Sequence, residues 1–220
     1  MKRVLNAGSG AAGGSTLHPA FRRVGWEELR LDVDPNVRPD IVGSFTAMHG
    51  LVADASVDAV WSSHSIEHLH THEVVPALRE FRRVLRADGF ALVTCPDLRA
   101  VARLLLEADA ETVAYQSNAG PIRVLDMIYG HAHSIAAGRL AMTHNTGFTL
   151  QRLGRVATDA GFTETRVVEG GGYDLWAFLM MPEASLDAIA ELFVGANIAQ
   201  LFDFPPLKGA TRELADTNAF

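Results

Sequence analysis

The chain predicts an α/β fold with a doubly wound, mostly parallel open sheet. Three observations carry that expectation. A short apolar strand, Val4-Leu5-Asn6-Ala7, runs into the glycine-rich turn Gly8-Ser9-Gly10-Ala11-Ala12-Gly13-Gly14. About twenty residues on, a second strand-like run ends in a carboxylate, Leu29-Arg30-Leu31-Asp32-Val33-Asp34-Pro35, a spacing typical of nucleoside-cofactor sites on such sheets. Beyond that, β-branched and apolar runs alternate with segments of helical period, the pattern of successive βα units.

The elements follow in order. Strands are expected near Arg3–Asn6, Glu28–Asp32, Ile41–Gly43, Val57–Ser62 and Gly89–Cys95. Glu73 to Arg86 reads as a helix begun by Thr71 or His72, with Val74, Val75, Leu78, Phe81, Val84 and Leu85 on its apolar stripe. Arg79, Glu80, Arg82 and Arg83 lie opposite, and Asp88-Gly89 supplies the turn into the fifth strand. Leu98 to Gln116 reads as a long amphipathic helix, and Asn118 to Asn145 as loop-rich, so residues 98–145 are expected to form an insertion capping the ligand edge. Thr149 to Ala160 is a further helix, with Thr149 as N-cap and Gly161 at its C-terminal end. Glu164–Val168 and Leu175–Met181 are the closing strands. Ala184 to Phe202 is a last amphipathic helix that closes the core or pairs two subunits, within a C-terminal region 183–220 whose tail from Pro205 carries no firm signal.

Composition bounds the function. With 220 residues, 48% apolar and 20% charged, the chain suits a single soluble domain spanning 1–220. A formal charge of −7 without a basic run argues against nucleic acid as partner. No run of about 18 apolar residues suggests a membrane span. One cysteine and no apolar leader fit a cytoplasmic protein, expected as a monomer or homodimer.

Gly8, Gly10 and Gly13 fit the dinucleotide spacing Gly-x-Gly-x-x-Gly literally, so an NAD-dependent oxidoreductase and a non-catalytic nucleoside-binding protein both remain readings of the opening alone. The next stretch separates them. Val57-Asp58-Ala59-Val60-Trp61-Ser62-Ser63-His64-Ser65-Ile66-Glu67-His68-Leu69, then Arg83-Val84-Leu85-Arg86-Ala87-Asp88-Gly89 and Cys95-Pro96-Asp97, stand in the order found in class I S-adenosylmethionine-dependent methyltransferases, which the chain resembles from about Val4 to Pro182. The resemblance implies a Rossmann-like seven-stranded sheet with an antiparallel last strand. It further implies S-adenosylmethionine as cofactor and methyl transfer to an oxygen or nitrogen nucleophile of a small polar acceptor.

By the same resemblance Asn6, Ala7, Gly8 and Gly10 form the cofactor loop, although the family usually has an acid at Asn6 and glycine at Ala12. Asp32, followed by Val33, aligns with the ribose-binding acid, with Asp34 as its competitor. Ser44 and Phe45 follow the third strand, where a hydroxyl and a ring can serve the adenine. Ser63 and His64 sit beside the reacting centre. His64 reads either as a general base, for which its ordinary pKa suits it, or as a polar wall. Glu67-His68 reads as loop-fixing in preference to catalysis. Tyr129-Gly130-His131-Ala132-His133 and Thr143-His144-Asn145-Thr146-Gly147-Phe148-Thr149 resemble pocket-bordering elements of a bacterial branch of the family, some of it linked to surface-polysaccharide modification; His144 is the candidate substrate contact, unless these residues only brace a lid. No metal is expected, because the nine histidines match no compact zinc signature and Cys95 has no thiolate partners.

Overall fold

The computed structural model describes residues 1–11, 17–194 and 198. Its sheet begins with β1 (Lys2–Ala7), β2 (Trp26–Asp32), β3 (Ile41–Val42) and β4 (Val57–Ser63). Helix α1 (Val74–Val84) leads into β5 (Leu85–Pro96), and α2 (Leu98–Glu107) opens the insertion. Within the insertion lie a hairpin, β6 (Val113–Ser117) and β7 (Gly120–Arg123), and two short helices, α3 (Val124–Tyr129) and α4 (Ala132–Ala136). The chain returns through α5 (Leu150–Asp159), β8 (Glu164–Glu169), β9 (Asp174–Met180) and α6 (Leu186–Leu192). The large sheet has seven strands in the order β3-β2-β1-β4-β5-β9-β8, with β9 antiparallel to both neighbours and the other pairings parallel.

Side chains on a strand alternate between faces, so successive residues supply two cores. Leu5 and Val60 face a core built with Phe81 of α1 and Leu153 of α5. Val4 and Trp61 face the other, which Phe21, Phe178 and Phe193 complete. β1, β4 and β5 are covered on both sides, which is why they read as unbroken apolar runs. Ile189 and Phe193 are buried in the second core, so α6 closes that face; residues 195–197 and everything from 199 on, including the expected end of this helix and the tail, lie outside the described residues. No helix among the described residues is long and apolar enough to cross a membrane.

Three expectations need correction. The helix expected over Leu98–Gln116 stops at Glu107. Asp109 folds the chain back, its carboxylate accepting the Glu111 N–H at 2.8 Å and its carbonyl the Thr112 N–H at 2.9 Å. Val113 and Tyr115 then pair with Arg123 and Ile122. Leu106, Ala110, Val113 and Ala114 keep a helical spacing that hid this change of period, and the stretch expected as loop is hairpin and helix. It has its own small core, in which Val101, Val124 and Met127 are buried against Leu104, Ala114 and Ile122. Second, α1 starts at Val74 with Glu73 at the N-cap position, and the Glu73 carboxylate accepts the His70 N–H instead of capping α1. Third, Glu80 lies on the buried side: its carboxylate accepts the Met48 N–H at 2.7 Å and pairs with Arg83, which holds its pKa below the ordinary value. Thr149 caps α5 as expected, and Gly161 follows it at φ 98°.

His18 is buried among Phe21, Trp61, Trp176 and Phe193, and its Nδ1 accepts the Ala20 N–H at 3.2 Å. Burial, then the charges of Arg22 and Arg23, lower its pKa to about 4. The unfolded chain takes up this proton near pH 6.5 and the folded chain only near 4, so stability is lost as pH falls through that window, by about 2–3 kcal/mol. Chemical denaturation at pH 7.5 and 4.5 checks this. His18→Asn keeps an acceptor for Ala20 without titrating there, and its stability should fall less than wild type by that amount.

Candidate functional site

The parallel strands end at one edge, and the site is built on their tips. β1 turns at Gly8, whose N–H donates to Leu31 O at 2.9 Å with φ 80°. A Cβ here would stand 2.2 Å from Ser65 Oγ, so the loop after β1 passes the loop after β4 at a distance only glycine permits. At the tip of β2, Asp32 draws the loops together: its carboxylate accepts the Gly10 N–H at 2.8 Å and the Asp34 N–H at 2.9 Å. Each oxygen keeps a lone pair for a further donor. Asp34 instead caps the turn Pro35–Val37, accepting the Asn36 N–H.

A cavity of about 400 Å³ opens over these tips. Of the residues expected around the cofactor, Gly8, Gly10, Asp32, Val33, Ser44, Phe45, Ser63 and His64 line it, joined by Ser65, His68, Leu69, Ala141 and Met142. Asn6 and Ala7 do not line it. They are buried within β1, and the Asn6 amide donates to Glu28 Oε1 at 2.7 Å. Ala12, Gly13 and Gly14 fall outside the described residues. The lining suits a nucleoside: a carboxylate with free lone pairs at one point, apolar side chains of Val33, Phe45 and Leu69 elsewhere, and a backbone approach that a Cβ would fill.

A second cavity of about 520 Å³ lies beneath the insertion and shares His64, His68 and Met142 with the first. His144 lines it, as do His131 and His133, while Tyr129 is exposed and lines neither. The insertion is fastened here by backbone. Asn145 and Thr146 donate N–H groups to Glu67 O at 2.9 and 3.2 Å, and the Asn145 amide donates to His68 O. Gly130 bridges Thr143 where a Cβ would stand 2.0 Å from Met142 O.

His64 stands where the cavities join, at φ 48°, with its N–H on Thr94 O and 45% of its side chain exposed to them. A positive φ in a non-glycine residue is a strained conformation that the surrounding structure must hold. Its Nδ1 lies 3.5 Å from Glu67 Oε1. Desolvation favours the neutral ring, but the contact with Glu67 and the charges of Glu67 and Asp174 outweigh it and raise the pKa. Glu67 is 1% exposed. Burial alone would push its carboxyl up, yet His64 first, then His68 and His144, hold it below the ordinary value, and therefore ionised. Sequence reasoning missed the Glu67 and His68 side chains as lining residues of the second cavity. Their backbone does fix the loop, as expected, and that same fixing turns the side chains into the site.

The sheet order, the antiparallel β9 and a glycine loop facing an acid at the β2 tip define the class I methyltransferase fold. Residues 5–93, which span the first five strands, match the family model described as a methyltransferase domain. Solved structures agree in fold. A SAM-dependent methyltransferase from Aquifex aeolicus is 16% identical, with 82% of each chain covered and a TM-score of 0.52. One from Archaeoglobus fulgidus is 12% identical over 81% of this chain and 86% of that one, at 0.53. A Pyrococcus horikoshii OT3 protein is 19% identical over 81% of each, at 0.54. No curated protein matches the chain in sequence.

The Gly8 contact yields a direct test. Gly8→Ala should destabilise the fold by about 2–4 kcal/mol, from a strained φ and the overlap with Ser65. In denaturant titrations, adding Ser65→Gly should recover the overlap part and leave the strain.

Proposed function

We propose that the chain transfers the methyl group of S-adenosylmethionine to an oxygen or nitrogen nucleophile of a small polar acceptor seated beneath the insertion. The observation that carries this reading is the junction of the cavities: one lined by a nucleoside-binding set on the strand tips, the other by polar groups of the insertion, with His64 shared between them. Bound in the first cavity, S-adenosylmethionine would supply an electrophilic methyl carbon with a neutral thioether as leaving group. Asp32 would accept the ribose hydroxyls, and Phe45, Val33 and Leu69 would shelter the adenine. The protein's contribution to rate is then chiefly alignment and exclusion of water, since an in-line displacement needs a placed nucleophile more than acid catalysis. His64, with Nδ1 3.5 Å from Glu67 Oε1, would take the acceptor's proton. The acidic chain argues against a nucleic-acid acceptor, and the second cavity, of about 520 Å³, has room for a small molecule.

Calorimetric titration with S-adenosylmethionine, S-adenosylhomocysteine and NADH tests the cofactor without knowledge of the acceptor. The two sulfur nucleosides should bind and NADH should not; the reverse pattern removes the proposal. Asp32→Ala should weaken the sulfur nucleosides by about 1–3 kcal/mol, the range for losing a charged hydrogen-bond acceptor. An unchanged affinity moves the ribose elsewhere. With an acceptor in hand, His64→Ala should lower kcat by about a hundredfold or more while cofactor affinity holds. Unaltered turnover makes His64 a wall residue.

A further inference from the structure

Three side chains at the junction form a set of which the methyl-transfer reading uses only Glu67, and that one through His64 alone. Glu67, His68 and His144 each present one ligand atom, and these atoms lie within 4.8 Å of one another. We propose that they bind a single divalent first-row transition-metal cation at the wall of the acceptor cavity. The separation of 76 positions between His68 and His144 explains why no spacing motif announced the set, and the expectation of no metal rested on such motifs.

Two observations point to a ligand. Glu67 is 1% exposed, and neither of its carboxylate oxygens has a hydrogen-bond partner among the described residues. The nearest imidazole nitrogens, His64 Nδ1 at 3.5 Å and His144 Nε2 at 4.0 Å, are within ion-pair range but close no hydrogen bond of good geometry. A buried carboxylate in that state is costly unless a cation meets it. The histidines, in turn, are already arranged as ligands. His68 Nδ1 is anchored on Thr143 O and His144 Nδ1 on Met127 O, both at 3.1 Å. A carbonyl partner of this kind fixes the tautomer with Nδ1 protonated and leaves Nε2 as the donor. The rings sit 5.0 Å apart at 60°.

Bonds of about 2.0–2.2 Å to imidazole and carboxylate put neighbouring donors about 3.0–3.4 Å apart, so the set closes by up to roughly 1.5 Å when loaded. Side-chain rotation supplies that, because Asn145 already ties the two backbones together, its N–H donating to Glu67 O and its side-chain amide to His68 O. Two imidazoles with one carboxylate select Mn, Fe, Co or Zn over Mg or Ca, and three protein ligands leave coordination positions open. All three residues line the second cavity, so the open positions face the acceptor's place. Resting on the methyl-transfer reading, this narrows the acceptor to one that brings an oxygen donor to the ion.

The test is Co²⁺ titration of chelator-treated protein, followed by calorimetry and visible absorption, with S-adenosylhomocysteine titrated separately. One equivalent should bind. His68→Ala, His144→Ala and Glu67→Gln should each weaken it by at least about tenfold, whereas His131→Ala with His133→Ala, histidines of the same cavity, should leave it intact. If Glu67→Gln does not fold, by thermal unfolding, the two histidine variants decide. No stoichiometric binding, binding that survives His68→Ala with His144→Ala, or binding lost only with His131 and His133, overturns the site. Nucleoside binding without Co²⁺ binding overturns the metal site alone. Co²⁺ binding lost in the cluster variants, without nucleoside binding, upholds the metal site and removes the methyl-transfer reading.

Discussion

Everything at the functional edge depends on the parallel register of β2, β1, β4 and β5. Ala7 pairs with Leu31, Asn6 with Trp61, and Ser63 with Thr94, so the strands finish level and their loops rise from one line. Parallel ladders in α/β folds place ligands at this carboxyl edge, where neighbouring strands send their connections to opposite faces. β1 lies between β2 and β4 at that point. The crossing leaves so little room that Gly8 nearly touches Ser65, and the resulting cleft is the first cavity.

The second half of the site is an addition to that edge. The insertion is tied back by hydrogen bonds from Asn145 and Thr146 to the turn after β4, and by the Gly130–Thr143 bridge. These bonds place His144 opposite Glu67 and His68. The same backbone contacts that border the second cavity therefore concentrate charge at its wall, where an ionised carboxylate is buried among three imidazoles.

Local patterns made the sheet legible. β1, β4 and β5 showed as apolar runs because both of their faces are covered, and α5 showed through Thr149 and Gly161. Eight of the ten residues expected at the cofactor line one cavity, since each sits at or next to a strand tip and strand tips could be located. Asn6 and Ala7 do not line it because the strand continues through them. The insertion was less legible: Leu106, Ala110, Val113 and Ala114 keep a helical spacing across the end of α2 at Glu107, and the alternation at Val113 and Tyr115 is too short to override it. Glu80 reads as polar surface, yet its carboxylate is drawn inward by Met48 N–H and Arg83. Contacts across 30 or 76 residues leave no periodic trace.

A crystal structure with S-adenosylhomocysteine tests the central claim most directly. The account predicts the nucleoside in the cavity between Gly8 and Phe45, ribose hydroxyls on the Asp32 carboxylate, and sulfur at the His64 junction facing the second cavity. A nucleoside bound away from Asp32, or with its sulfur turned from that junction, would contradict it.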